Sequence, residues 1–231
     1  MVTVSTACGS AEILPRTAIV GVGGAGCRIA SAFYGSLTSA DIIAVNTHKK
    51  SLEDTDADVR IFICRGVVKG KGTGGDSALG RKCARIHSEE IRNALKGHDI
   101  AVIVAGMGGG TGSGAAAVVA EISQSLGIIT MAVVVKPFSF EGNSRTAAEG
   151  LRSLRAVCPS TIAVENGIIL EKFPDMTLNE AFGAVNESIV DYVKRKTDFA
   201  AENFAKELKK SGPGNRTSGR NVPAVTDGLT V

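Results

Sequence analysis

Between residues 106 and 116 the chain reads GMGGGTGSGAA, six glycines among eleven residues. The stretch follows DIAVIVA, a continuous apolar run that reads as a buried strand. It precedes AVVAEISQSLG, and the periodicity predicts a helix over 115–126. Strand, glycine-dense turn and helix in that order constrain the fold more than any other feature of the chain. Glycine permits positive φ and close approach of the backbone to an anion. The first turn of the following helix offers unpaired N–H groups at the positive end of its dipole. Thr111 and Ser113 add hydroxyl donors.

The same alternation runs along the chain. Strands are expected at 16–22, at DIIAVNT, at 58–64, at DIAVIVAGM, at 128–138 and at 160–166. Helices are expected at GCRIASAFYGSL, with Ile29, Phe33 and Leu37 on one face, and over 78–97, closed by Gly97. Another follows EGNSR, and one covers most of TLNEAFGAVNESIVDYVKRKTDFAAENFAKELKK, with Thr177 or Asn179 as its N-cap. Because the strands are continuously apolar rather than alternating, the expected fold is α/β. It is a Rossmann-like three-layer domain with a mainly parallel sheet between helices. From residue 211 onward the composition turns to Gly, Pro, Ser and Asn without periodicity, which reads as a disordered tail.

Three glycine-rich loops fall near the carboxyl ends of strands, where such sheets bind ligands. They are GVGGAGCR at 21–28, KGKGTGG at 69–75 and GGGTGSG at 108–114. Three together point to an oligophosphate. Gly21, Gly23 and Gly26 alone fit the dinucleotide spacing G-x-G-x-x-G. The second strand nevertheless ends in AVNTHKK, without an acid for a ribose diol, although Lys49 and Lys50 could imitate an NADP phosphate site. The P-loop pattern is absent. Neither nucleotide class accounts for all three loops.

Composition narrows the partners. The net charge is +3, Trp is absent and Tyr is rare, so no nucleic-acid partner is expected. The five cysteines, at 8, 27, 64, 83 and 158, show neither CxxC nor zinc-ligand spacing. Reduced thiols in a cytoplasmic protein are the simplest reading. The N-terminus lacks the pattern of a signal peptide, and no apolar run approaches the roughly 20 residues of a membrane span.

GGGTGSG matches the tubulin/FtsZ signature [SAG]-G-G-T-G-[SA]-G at every position. IVGVGGAGCRIA, IAVNT, EEIRNALKGHDIAVIVAGMGGGTGSGAA and VVVKPFSFEGNSR resemble the same family in order and spacing, over about residues 17–193. The resemblance implies a GTP/GDP-binding domain over 16–193, flanked by an N-terminal extension (1–15), a helical extension (194–210) and the tail (211–231). It implies that Gly23, Gly24, Ala25 and Gly26 line the first phosphate loop, beside Cys27 and Arg28, where relatives carry Asn or a small polar residue. Asn46 joins the nucleotide-binding set. Gly72, Thr73 and Gly74 would approach the γ-phosphate, and Gly108, Gly109, Gly110, Thr111, Gly112, Ser113 and Gly114 would hold the α- and β-phosphates. Glu141 and Arg145 match ribose and nucleotide contacts, and Asn166 and Asn186 match residues facing guanine.

Several of these residues also have plain structural readings. Glu141 and Arg145 could be an i, i+4 surface pair, and Asn166 could simply end a strand. Cys27 lies near a helix N-terminus, which lowers a thiol pKa, though a small residue beside a ligand is the simpler role. Arg28 could neutralise phosphate or be a solvated helix charge. Mg2+ could accompany the nucleotide, but His48 stands where relatives carry an acid after NT, and no metal ligand is assigned.

The family's catalytic loop, G-x-x-N-x-D-x-x-[DE], has no counterpart beyond the echo TDFAAEN at 197–203, and an amphipathic helix explains that segment better. The catalytic residues are therefore unknown. The implied function is a GTP-binding protein that assembles with copies of itself or an FtsZ-like partner, in a cytoskeletal, cell-division or membrane-remodelling role. Hydrolysis would require a site completed by a neighbour. The alternative is a GTP-binding regulator of a full-length relative, without polymerisation or efficient hydrolysis of its own. An NAD(P)-dependent enzyme is the remote third. Membrane contact is expected only through a partner, or weakly through Lys209, Lys210, Arg216 and Arg220.

Overall fold

A computed structural model describes residues 15–35, 37, 40–167 and 175–210. Six strands form one sheet: β1 (Thr17–Val22), β2 (Ala40–Asn46), β3 (Val59–Phe62), β4 (Ile100–Gly106), β5 (Ile129–Lys136) and β6 (Thr161–Glu165). All neighbours pair in parallel, in the order β3-β2-β1-β4-β5-β6. The expected parallel α/β architecture is therefore present, and its sheet is wholly parallel.

The apolar runs of the central strands are continuous because both faces of the sheet are covered there, whereas edge strand β3 leaves Val59 and Arg60 exposed. Ala18, Val20 and Val22 join one core with Ile43, Val45, Ala101, Ile103 and Ala105. The alternate residues Ile19, Ile42, Ala44, Val102 and Val104 join a second core on the opposite face. The first core is roofed by α4 (Ser77–Ile86), α5 (Ser88–Leu95), α6 (Gly110–Ser125) and α7 (Ser144–Val157). The second is covered by α1 (Gly23–Ser31), α2 (Lys49–Glu53) and the long α8 (Leu178–Lys210). Phe33 and Ile19 are completely buried there, each worth about 1.5–3 kcal/mol of apolar transfer. Leu37 packs against the same core.

The periodicity that predicts one helix over 78–97 corresponds to two. His87, at φ −99°, ψ 22°, separates α4 from α5. Its Nε2 accepts the backbone N–H of Cys64 at 2.9 Å, and its Nδ1 lies 3.0 Å from Glu90. The break thus serves a contact with a distant strand end. Gly97 still takes positive φ, at 84°. The stretch 66–77 is also not purely a loop, since a four-residue α3 (Arg65–Val68) opens it. Thr177, rather than Asn179, caps α8: its Oγ1 accepts the Glu180 N–H, and the Glu180 carboxylate accepts the Thr177 N–H.

The expectation of reduced thiols is corrected by the fold. Cys64 and Cys83 form a disulfide, with Cα atoms 5.1 Å apart and a sequence separation of 19. The fold brings the residue before α3 onto α4, so no local spacing motif announces the pair. Cys27 and Cys158 are free and buried, and Cys8 lies outside the described residues, as does the predicted tail.

At the amino ends of the strands, polar groups satisfy one another. Asp41 accepts hydrogen bonds from Arg16 and pairs with His98 Nε2, both at 2.9 Å. His98 Nδ1 meets the Leu95 carbonyl at 3.0 Å, and Asp99 accepts the Arg16 backbone N–H at 2.9 Å. No helix among the described residues is long and apolar enough to cross a membrane.

Candidate nucleotide site

The strand order reverses between β1 and β4, the position where sheets of this kind bind ligands. Val22 lies in register with Val45 on one side and Ala105 on the other. The loops leaving β1, β2 and β4 therefore emerge side by side. Two helices begin here, α1 at Gly23 and α6 at Gly110. Neither has a side-chain N-cap or an acid in its first turn. Their first N–H groups lie at adjacent strand ends with no capping side chain to accept them.

The helix that the sequence pattern starts at 115 starts at Gly110 instead. Half of the glycine signature is thus its first turn, and most of its glycines are required by packing. A Cβ on Gly112 would overlap the Gly106 carbonyl, and one on Gly114 would overlap Ser77 of α4. One on Gly110 would strike Thr73 Oγ1 and stand 2.7 Å from the Asp76 backbone nitrogen. In the first loop, a Cβ on Gly26 would enter the β4 backbone at Val104. One on Gly23 would come within 2.8 Å of the Gly112 nitrogen. These contacts hold the loops against each other. Gly109, Gly74 and Gly75 are different: nothing lies within 4 Å of their Cβ positions, and all three are exposed. Gly24 and Ala25 are exposed beside them. This small set is the backbone that actually faces open space.

The hydroxyls likewise hold the frame. Thr111 Oγ1 lies 2.7 Å from Thr47 Oγ1, both side chains buried. Ser113 Oγ accepts the Gly108 N–H at 2.9 Å. Gly108 packs on Pro137 and Asn143 in the β5–α7 connection, which brings Glu141 and Arg145 to the rim of the cluster. These two are not paired with each other. Glu141 accepts the Phe138 N–H at 2.8 Å, and Arg145 donates to Glu149 at 3.0 Å. Residues 70–72 reach β2 through an isolated bridge between His48 and Lys71, and Lys49 N–H donates to the Gly70 carbonyl. His48 Nδ1 accepts the Ser51 N–H and so caps α2, a local use for the residue that stands in place of an acid.

Two buried side-chain atoms have no hydrogen-bond partner among the described residues: Asn46 Nδ2 and Asn166 Oδ1. Asn46 ends β2, and its Oδ1 is occupied by the N–H groups of Thr47 and His48. Asn166 follows β6. Leaving a buried polar group unpaired costs roughly 1–3 kcal/mol. Both atoms lie at the carboxyl edge of the sheet, which fits an edge that receives a polar ligand. Asn186 is half-buried on α8, one residue after the core residue Val185. Nearby, Phe182 packs edge-on to Phe138, with centroids 5.3 Å apart.

Cys27 departs from the sequence reading. The helix N-terminus that would lower its pKa is overruled by desolvation, which pushes the thiol up to about 12. Its Sγ–H donates to the Gly21 carbonyl at 3.4 Å. It is an inert packing residue. Arg28 points outward and is exposed. Residues the sequence reading missed include Thr47, Gly80 and Gly150. A Cβ on Gly80 would overlap the Gly110 carbonyl, and one on Gly150 would press into Ser113. The signal for both was an isolated glycine inside a helical pattern.

The family model for the Tubulin/FtsZ family, GTPase domain, matches residues 16–173. Cell division protein FtsZ 1 of Pyrococcus furiosus is 38% identical over 190 residues, covering 81% of this chain and 51% of the relative. Cell division protein FtsZ 2 of Haloferax volcanii is 37% identical over 183 residues, covering 78% and 46%. The chain thus spans about half the length of the curated relatives it matches. Among solved structures, an empty FtsZ dimer from M. jannaschii superposes with a TM-score of 0.76 at 35% identity, covering 81% of this chain and 55% of that one. A GTPγS-bound protofilament of CetZ2 from Haloferax volcanii gives 0.71 at 28% identity, covering 79% and 58%.

Proposed function

This chain belongs to the tubulin/FtsZ family, and from that premise we propose that it binds GTP and GDP at the carboxyl edge of β1, β2 and β4. The backbone around Gly24, Ala25 and Gly109 takes the α- and β-phosphates, using the uncapped N-termini of α1 and α6. The loop around Thr73, Gly74 and Gly75 approaches the γ-phosphate. Asn166 and Asn186 read the guanine edge, and Glu141 and Arg145 contact the ribose side. Thr111, Ser113, Gly110, Gly112 and Gly114 hold the cradle in shape without touching much of the ligand. Asn46 offers its unpaired amide N–H into the same edge. The nucleotide brings its own phosphoanhydride bond and, with it, Mg2+. The observation that carries the reading is two uncapped helix starts on the same sheet edge as two unpartnered buried amide atoms, Asn46 Nδ2 on the neighbouring strand and Asn166 Oδ1 farther along.

Hydrolysis and assembly belong to the same proposal. Phosphoryl transfer to water needs a positioned water and a polarising group. Among the described residues, the acidic side chain in the 69–76 loop, Asp76, already caps α4 by accepting the Leu79 N–H at 2.9 Å. The polarising group comes from a neighbouring subunit, so this cytoplasmic protein hydrolyses GTP only in a head-to-tail assembly that serves division or cytoskeletal order.

Nucleotide content and turnover of the purified chain over a concentration series test this. Bound guanine nucleotide, and specific activity that rises with protein concentration alongside GTP-dependent light scattering, are expected. A chain that binds no guanine nucleotide overturns the reading. Bound GTP with flat, negligible turnover and no scattering overturns the assembly part only, and favours a binding regulator.

A further inference from the structure

The loop that carries Thr73, Gly74 and Gly75 has two roots, and they are unlike. The far root is α4, seated against α6 where Gly80, Gly110 and Gly114 let the two backbones approach closely. The near root is α3, four residues long, with Arg65, Gly66 and Val67 exposed. Both ends of α3 are left-handed at non-glycine residues, Cys64 at φ 59° and Lys69 at φ 48°. Among the described residues these are the only non-glycine positions with positive φ, a conformation that persists only where its surroundings impose it. What imposes it here is compact. Cys64 N–H donates to His87, the Cys64 carbonyl accepts from Val67 and Val68, Val68 is buried, and the disulfide ties Cys64 to Cys83 in α4.

We propose that the Cys64–Cys83 disulfide is a redox clip that fixes the γ-phosphate loop, and that its reduction releases the near root and lowers affinity for the triphosphate relative to the diphosphate. The assignment of this loop to the γ-phosphate rests on the nucleotide reading above. The bond closes a segment that contains the whole stretch 69–75 and the start of α4. Structural disulfides are uncommon in reducing compartments, so one at the root of a ligand loop is placed where a change in redox poise has a local effect. The reductant is a dithiol. Its thiolate attacks one sulfur, the S–S bond breaks, and the displaced sulfur leaves as a thiolate that takes up a proton. The second thiol of the reductant then resolves the mixed disulfide. Two electrons and two protons pass to Cys64 and Cys83, and the dithiol closes to a cyclic disulfide. Both sulfurs are buried, with Cys64 4% and Cys83 0% exposed. The reaction therefore proceeds through local opening of α3 rather than on the closed surface.

The full chain is tested oxidised, after dithiothreitol, and as the C64A/C83A double variant. Alkylation of the denatured, unreduced chain is expected to leave two of its five cysteines unmodified; five modified cysteines overturn the proposal. Tryptic cleavage after Arg65, Lys69 and Lys71 is expected to quicken about tenfold on reduction. The double variant should match the reduced chain and ignore dithiothreitol. Equal cleavage rates in the two redox states overturn the clip. Affinity for GTPγS is expected to fall about tenfold on reduction, with GDP held within about twofold. Unchanged GTPγS affinity, or an equal fall for both nucleotides, overturns the link to the γ-phosphate. A redox-dependent cleavage rate in a chain that binds no guanine nucleotide supports the clip and sinks the nucleotide reading instead.

Discussion

The two edges of the sheet are built from the same strands and finish in opposite ways. At the amino edge, Arg16, Asp41, His98 and Asp99 face one another and close their hydrogen bonds internally. At the carboxyl edge, two helices start without caps and two buried amide atoms have no partner among the described residues. One edge is finished by the protein, and the other is left for something that brings acceptors and donors of its own. Polarity alone does not distinguish them, because both edges carry charged residues, Lys136 and Glu165 at the carboxyl ends of β5 and β6 among them. What distinguishes them is whether the polar groups are already spent.

The largest expected effect comes from filling a glycine at the carboxyl edge that packs against protein. Gly112→Ala overlaps the Gly106 carbonyl. It should cost on the order of 3 kcal/mol, or roughly 10 °C in Tm for a chain of this size, seen by thermal denaturation without nucleotide. Gly109→Ala sharpens the contrast. Its Cβ meets nothing, and its φ of −78° suits alanine. Tm should stay within about 2 °C, while GTP affinity measured by calorimetry falls about tenfold or more through lost charged hydrogen bonds. If Gly109→Ala binds GTP normally, the ligand does not lie against this turn. Gly75→Ala is smaller again. Its φ of 90° is strained for alanine in otherwise open space, a cost of about 1–2 kcal/mol. The cost should appear as faster hydrogen exchange over 70–75 rather than as a global Tm change.

The smallest effect tests the amino edge. The hydrogen bond from His98, helped by Arg16, holds the Asp41 carboxyl below the usual carboxylate range. A carboxyl with a lowered folded pKa adds stability that is fully present above its unfolded value of about 3.9. That stability is lost as pH falls through the lower folded value. Asp41→Asn should therefore flatten the acid side of the Tm–pH curve slightly and leave nucleotide affinity untouched. A change in GTP affinity would break the separation between the two edges.

Much of this arrangement was legible in the residues. Continuous apolar runs marked the central strands, because a sheet covered on both faces leaves no solvent face to mark with polar residues; edge strand β3, with Arg60 exposed, is less clean. The glycine loops and the family signature pointed to the carboxyl edge. What the residues did not reveal was which neighbour each glycine serves. Gly110 and Gly114 read as phosphate-binding positions, yet they are the seats of Thr73 and of α4, and only the packed helices reveal that. His87 read as one more residue of a long helix, because its contact with Cys64 comes from a turn 23 residues away in sequence. The Cys64–Cys83 bond escaped for the same reason. Of the two readings of Cys27, burial removes the one drawn from the helix dipole near it.

The reversal of strand order between β1 and β4 has a mechanical consequence. The chain builds β1 to β3 outward in one direction and β4 to β6 outward in the other, so the sheet has two halves that meet at a single seam. A ligand seated on the loops of both β1 and β4 straddles that seam and is a rivet between the halves. Each tenfold rise in free ligand above its dissociation constant then adds about 1.4 kcal/mol against unfolding. Under the proposed nucleotide reading, two occupants of unequal affinity would join the two halves of the protein with unequal firmness.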